Sequence, residues 1–206
     1  MFKKFLEPTL LATALIAIVL ASSGCKKEEK APEAVTATTQ TAAPAATAAT
    51  AGATQFAFED GIGGWKGNGS DVKVEPATDQ KKSGSASLKI SGTSQKPVWN
   101  FALSPAFNLE PGKKYKLTGS MFVDSWKSKD TKPFIKVGVN VDGKWATNAN
   151  SNSYDLKKTK EWQQLEATFQ APAGGKIEGY VALEKGTQEP ISGTVYLDDI
   201  KVELAQ

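Results

Sequence analysis

Histidine and arginine are both absent from this 206-residue chain. Without histidine it lacks the commonest general base and the commonest transition-metal ligand. Without arginine it lacks the planar fork that contacts phosphate and base edges in pairs. Its 25 basic residues, all lysine, are nearly matched by 22 acidic ones, for a formal charge of +3. No concentrated basic face is expected, and nucleic acid is excluded as a partner. The single cysteine, Cys25, allows no intrachain disulfide and no cysteine-based zinc site. A long apolar run is missing too: Leu10 to Ala21 falls well short of the ~20 residues that span a bilayer as a helix. These absences count against most enzyme classes.

What is present begins with an export address. Lys3 and Lys4 precede the apolar stretch, and Ser22-Ser23-Gly24-Cys25 follows it, the order of a secretory signal with a small-residue cleavage region. This arrangement resembles a bacterial lipobox, although Ser22 stands where the pattern usually has leucine. The resemblance implies that residues 1–25 are a lipoprotein signal and that Cys25 carries lipid. Lys26 after the cysteine then implies the outer membrane, with the folded part outside the cytoplasm. The alternative is an ordinary secreted protein cut near Ala21, with an incidental thiol. Residues 26–54 form a charge cluster followed by a run of Ala, Thr and Pro, with no apolar stripe to dock them. They are expected to be a disordered tether of roughly 90 Å when fully extended and about 30 Å as a coil.

Residues 55–206 have one folded domain's worth of length. Their hydrophobic period is two almost throughout. Phe134-Ile135-Lys136-Val137-Gly138-Val139-Asn140-Val141 alternates, as do Tyr115 to Met121, Leu165 to Phe169 and Val195 to Leu204. Gly and Pro turn signals separate them, including Glu110-Pro111-Gly112, Asp142-Gly143 and Ala171 to Gly175. No segment carries a helical stripe over three turns. The fold class expected is all-β, a sandwich or barrel.

Five motifs fall in order along this domain: Phe58-Glu59-Asp60-Gly61 with Gly64-Trp65, Ser83 to Ile90, Leu109 to Tyr115, Glu161 to Leu165 before Phe169 to Gly174, and Val195 to Ile200. Together they resemble the CenC-type carbohydrate-binding modules, a branch of the galactose-binding-like jelly rolls. The resemblance implies a two-sheet antiparallel β-sandwich that binds polysaccharide as a monomer, without catalysis. One alternative is a structural or adhesive envelope lipoprotein whose jelly roll binds a protein partner. Another is a glycoside hydrolase or an accessory subunit of one, which would need two carboxylates roughly 5–9.5 Å apart.

The resemblance also implies a structural calcium ion between the first and last strands, with Glu59 and Asp198 as ligands. Calcium takes several oxygen ligands. Asp198 shares strand parity with Tyr196, Ile200, Val202 and Leu204, all expected to face the core, where an unpaired carboxylate is costly. A carboxylate capping the N–H groups of a turn is the other reading. For the sugar face, aromatic rings flanked by amides or acids are expected. Trp145 follows the Asp142-Gly143 turn amid Thr147 to Asn152 and is the platform candidate by composition. Trp99 falls where xylan-binding relatives place a stacking ring, yet its parity with Phe101 and Leu103 equally suits a core tryptophan. Glu184 resembles a polar ligand position of the family. Parity turns it outward with Tyr180, and turns Asn140 and Lys136 outward on their own strand. Lys136 is read as an ordinary solvated side chain. Trp65 and Trp162 are read as core.

Overall fold

The computed structural model describes residues 52–206. The signal segment, Cys25 and the tether up to residue 51 lie outside the described residues. The strands are β1 (Thr54–Phe56), β2 (Lys66–Gly67), β3 (Val72–Ala77), β4 (Ser87–Ser94), β5 (Asn100–Leu103) and β6 (Phe107–Leu109). They continue with β7 (Lys114–Trp126), β8 (Phe134–Val141), β9 (Lys144–Asn150), β10 (Gln163–Gln170), β11 (Ile177–Glu184) and β12 (Ile191–Leu204). A single 3-10 turn at Leu156–Lys158 is the helical content of the described residues. Thr54 already belongs to β1 and pairs with Val202, so the folded chain starts slightly before the expected boundary.

Two antiparallel sheets pack face to face. One runs β10-β7-β12-β4-β3, with β1 taking the place beside β12 that β4 leaves; the other runs β2-β5-β11-β8-β9, with β6 beside β11. The period-two pattern explains why each sheet has an apolar inner face. On β7 Tyr115, Leu117, Met121 and Val123 are buried, and on β8 Ile135, Val137 and Val139 meet them across the sandwich. The core closes at one end on Trp65, against the rings of Phe56 and Phe58. At roughly 1.5–3 kcal/mol for each large apolar side chain removed from water, this layer is the main term opposing chain entropy.

The last strand corrects the parity expected for it. Asp198 pairs with Ser120, but the next register pair is Lys201 with Thr118, so β12 carries an extra residue between them. Asp199 at φ 51° makes that bulge, and a bulge reverses which side chains face inward. Val195 and Leu197 are therefore the core residues before it, and Ile200 and Val202 after it. Tyr196 packs on the opposite face, in a small cluster with Phe122, Ala77 and Trp162. Leu204, expected inside, is 42% exposed.

Asp198 is fully buried on Tyr196's face rather than in the core, under the loop between β3 and β4. Its carboxylate accepts backbone N–H groups from Lys82 at 2.8 Å, Ser83 at 3.1 Å and Asp199 at 2.8 Å.

Candidate functional site

The outer face of the β5-β11-β8-β9 sheet is set by register. Side chains of directly opposed residues share a face, so Glu184, Ala182, Tyr180 and Glu178 of β11 line up with Phe134, Lys136, Gly138 and Asn140 of β8. Asn150, Asn148 and Trp145 of β9 continue the rows beyond Lys136, Gly138 and Asn140. A groove of about 620 Å³ crosses this face, walled by Trp99, Phe134, Lys136, Trp145, Asn148, Asn150, Glu184 and Gly186. Trp145 is 66% exposed and Trp99 49%. Both indoles are therefore free to accept a flat ligand.

Trp99 departs from the core reading because alternation fails just where it was needed. Ala102 pairs with Leu183 but Asn100 with Glu184, so Phe101 is an extra residue on β5. Its ring turns into the core against Trp126. Trp99 precedes the strand in a bend, outside any alternation.

The groove floor is ionic. Glu184 is 2% exposed, and the Lys136 ammonium stands 2.7 Å from its Oε1. At that distance the ammonium is the partner of Oε1, and the pair is held largely out of water. Burial pushes the Glu184 carboxyl above the ordinary glutamate range, while Lys136 and the Asn100 side chain opposite it pull the other way. Lys136 is thus no solvated side chain: only 15% of it is exposed. That Lys136 and Glu184 both face outward was legible from parity, but their pairing and burial were not.

Of the expected binding residues, the structure brings Trp99, Trp145 and Glu184 into one groove. Asn140 lies beside Trp145 in register but outside the groove wall. The Tyr180 ring lies across Gly138, where any Cβ would collide with it, so it flanks the groove as part of the sheet surface. Phe134, Asn148, Asn150 and Gly186 are lining residues that sequence reasoning did not single out.

The calcium expectation meets a mixed donor set. Glu59 and Asp198 do converge on one loop: the Glu59 Oε2 accepts the Ser85 N–H at 2.8 Å and the Ser85 hydroxyl at 2.6 Å. Gly84 permits this, at φ 57° with no Cβ to strike the carboxylate. Those bonds hold the Glu59 carboxyl below the ordinary range. Asp198 is a poor cation ligand, because three N–H dipoles already point at its oxygens. Among the described residues no group of three or more acidic or other ligating side chains gathers around Glu59 or elsewhere to hold an ion.

Residues 52–198 match the family described as carbohydrate binding domain. The chain belongs to that family. Endo-1,4-beta-xylanase A of Thermotoga neapolitana is 28% identical over 150 residues, 71% of this chain and 13% of that enzyme. The Thermotoga maritima enzyme of the same name is 27% identical over the same shares. The chain therefore spans a small part of these relatives. Among solved structures, the CBM22-1 xylan-binding domain from Paenibacillus barcinonensis superposes with a TM-score of 0.56 at 19% identity, covering 77% of this chain and 99% of that one. A Clostridium thermocellum xylanase fragment complexed with xylohexaose gives 0.56 at 15%, covering 75% and 29%. These two likenesses show that the carbohydrate-binding domain has the same β-sandwich fold.

The raised Glu184 pKa gives the domain a testable pH response. A group that binds its proton more tightly when folded stabilises the fold most at low pH, and that contribution fades as pH rises through the folded value. The parent should therefore lose stability as pH rises from the ordinary glutamate value. Glu184→Gln should flatten that slope, as read from melting temperatures across acidic to neutral pH. Equal slopes for parent and variant would refute the assignment.

Proposed function

We propose that the domain binds a xylan-type polysaccharide in the groove between Trp99 and Trp145, without catalysing any reaction. The observation that carries this reading is two exposed indoles on one groove whose floor holds a buried ion pair, Glu184 with Lys136. Indole faces stack on the apolar faces of pyranose rings, and the carboxylate and ammonium of that pair are charged partners for sugar hydroxyls. Asn148 and Asn150 add amides that both donate and accept. The relatives named above are xylanases or xylan-binding domains, which supports xylan as the ligand class. A single carboxylate lines the groove, whereas glycoside hydrolysis canonically uses two. The large hydrophobic side chains exposed among the described residues are Trp99, Trp145 and Leu204. An aliphatic patch of the kind that would favour a protein partner is not among them.

Losing a central aromatic commonly costs at least ~2 kcal/mol, roughly thirtyfold in affinity. Trp145→Ala and Trp99→Ala should each weaken xylohexaose binding by about that factor in calorimetric titration. Both rings are substantially exposed, so melting temperatures should hardly move. A parent that binds no xylan, or variants that bind as the parent does, would end this reading.

Two context proposals accompany it. The first is a structural calcium ion held through Glu59, with Asp198 serving the loop by its N–H bonds instead. Chelation should lower the parent's melting temperature by mass action and leave Glu59→Gln unaffected, whereas Asp198→Ala should melt lower with or without chelator. A parent whose melting ignores chelator removes the ion. The second is lipidation of Cys25, supported by its place after the apolar stretch, which would anchor the domain at the outer membrane. Cys25→Ala should move the protein from the membrane to the soluble fraction, and unchanged partition would contradict the anchor.

A further inference from the structure

Next to Glu184 stands a lysine that takes no part in the groove wall. Lys185 is fully buried, at 0% exposure. Its ammonium donates to the carbonyl oxygens of Ser94 at 3.0 Å, Gln95 at 3.2 Å and Glu189 at 2.7 Å. An ammonium has three N–H donors, and all three are used. Its own backbone N–H donates to the Trp99 carbonyl at 3.0 Å.

Ser94 ends β4 and Asn100 begins β5, so the segment 95–99 has no ladder of its own. Lys185 grips it at both ends, through Ser94 and Gln95 on one side and Trp99 on the other. The Ser94 hydroxyl closes the neck of the segment by donating to the Asn100 carbonyl at 2.8 Å. Through Glu189 the same ammonium fixes the loop after β11, which contributes Gly186 to the groove.

Burying an ammonium is unfavourable unless every donor is met, and burial pushes the Lys185 pKa down. An aliphatic residue would fill the same space without that cost, but it could not tie three carbonyls together.

We propose that Lys185 is a positioning residue for polysaccharide binding, setting where the Trp99 indole stands over the groove by tying segment 95–99 to the loop after β11. This rests on the groove being the sugar site. Lys185 touches no ligand and acts through Trp99.

The test uses the full chain, xylohexaose as probe, and the indole N–H resonances of the five tryptophans, with Trp99 assigned by its loss in Trp99→Ala. Lys185→Met keeps length and removes the cation. It should weaken binding about tenfold, or ~1.4 kcal/mol, and should shift or broaden the Trp99 resonance while Trp145 stays in place. Lys185→Arg keeps the cation and should retain most of the affinity and the parent's Trp99 signal. Parent-like binding by Lys185→Met overturns the inference, as does a displacement of all five resonances together, which would mean a general structural role. Where Lys185→Met does not fold, Lys185→Arg decides, since a Trp99 signal that moves no more than the other four while affinity falls also overturns it. A parent that does not bind xylohexaose, or a Trp99→Ala variant that binds normally, instead sinks the functional reading itself.

Discussion

A carboxylate taken out of water must be matched by a cation or by aligned donors, and Lys136 matches Glu184. Lys136 stands 2.7 Å from its Oε1, and both residues line the groove. That pairing depends on the β11–β8 register, in which Ala182 opposes Lys136 and Glu184 opposes Phe134. A slip of one residue would send Glu184 into the core and Leu183 into water. The apolar contacts that hold the register, Leu183 and Val181 against Ile135 and Val137, are the reason a buried ion pair can be kept on the other face.

The other two carboxylates of interest solve the same problem differently. Asp198 is buried but surrounded by backbone donors, which offset part of its desolvation and fasten the loop after β3 to the last strand. Glu59 stays at the surface and reaches the same loop from the first strand's side. Both ends of the chain's folded part thus meet on one loop. This is a fastening between distant segments, set on a different loop from the groove.

Exposed aromatic rings gain little from folding, so their presence on one face calls for a partner. Trp145 sits on an edge strand six of whose seven residues are exposed, where little packing holds it. Trp99 is different, since its backbone is held from below by a buried lysine. A binding face made of one free ring and one fixed ring would combine adaptability at one end with a defined position at the other.

Composition and period two were enough to determine an all-β fold, sandwich or barrel, because alternation records which face of each strand leaves water; the family resemblance narrowed it to a sandwich. They also sufficed to put Glu184, Lys136 and Asn140 on an outer face and to mark Trp145 as unburied, since a tryptophan amid amides has nothing apolar to pack against. Alternation counts residues, however, and a bulge changes the count. The extra residue at Phe101 freed Trp99 from its expected alternative in the core, and the one after Asp198 turned Tyr196 and Asp198 to the opposite face. The burial of Lys136 and Lys185, and the donors around Asp198, come from segments far apart in the chain. Only the tertiary structure decided them, because what a charge costs depends on the groups that fold around it.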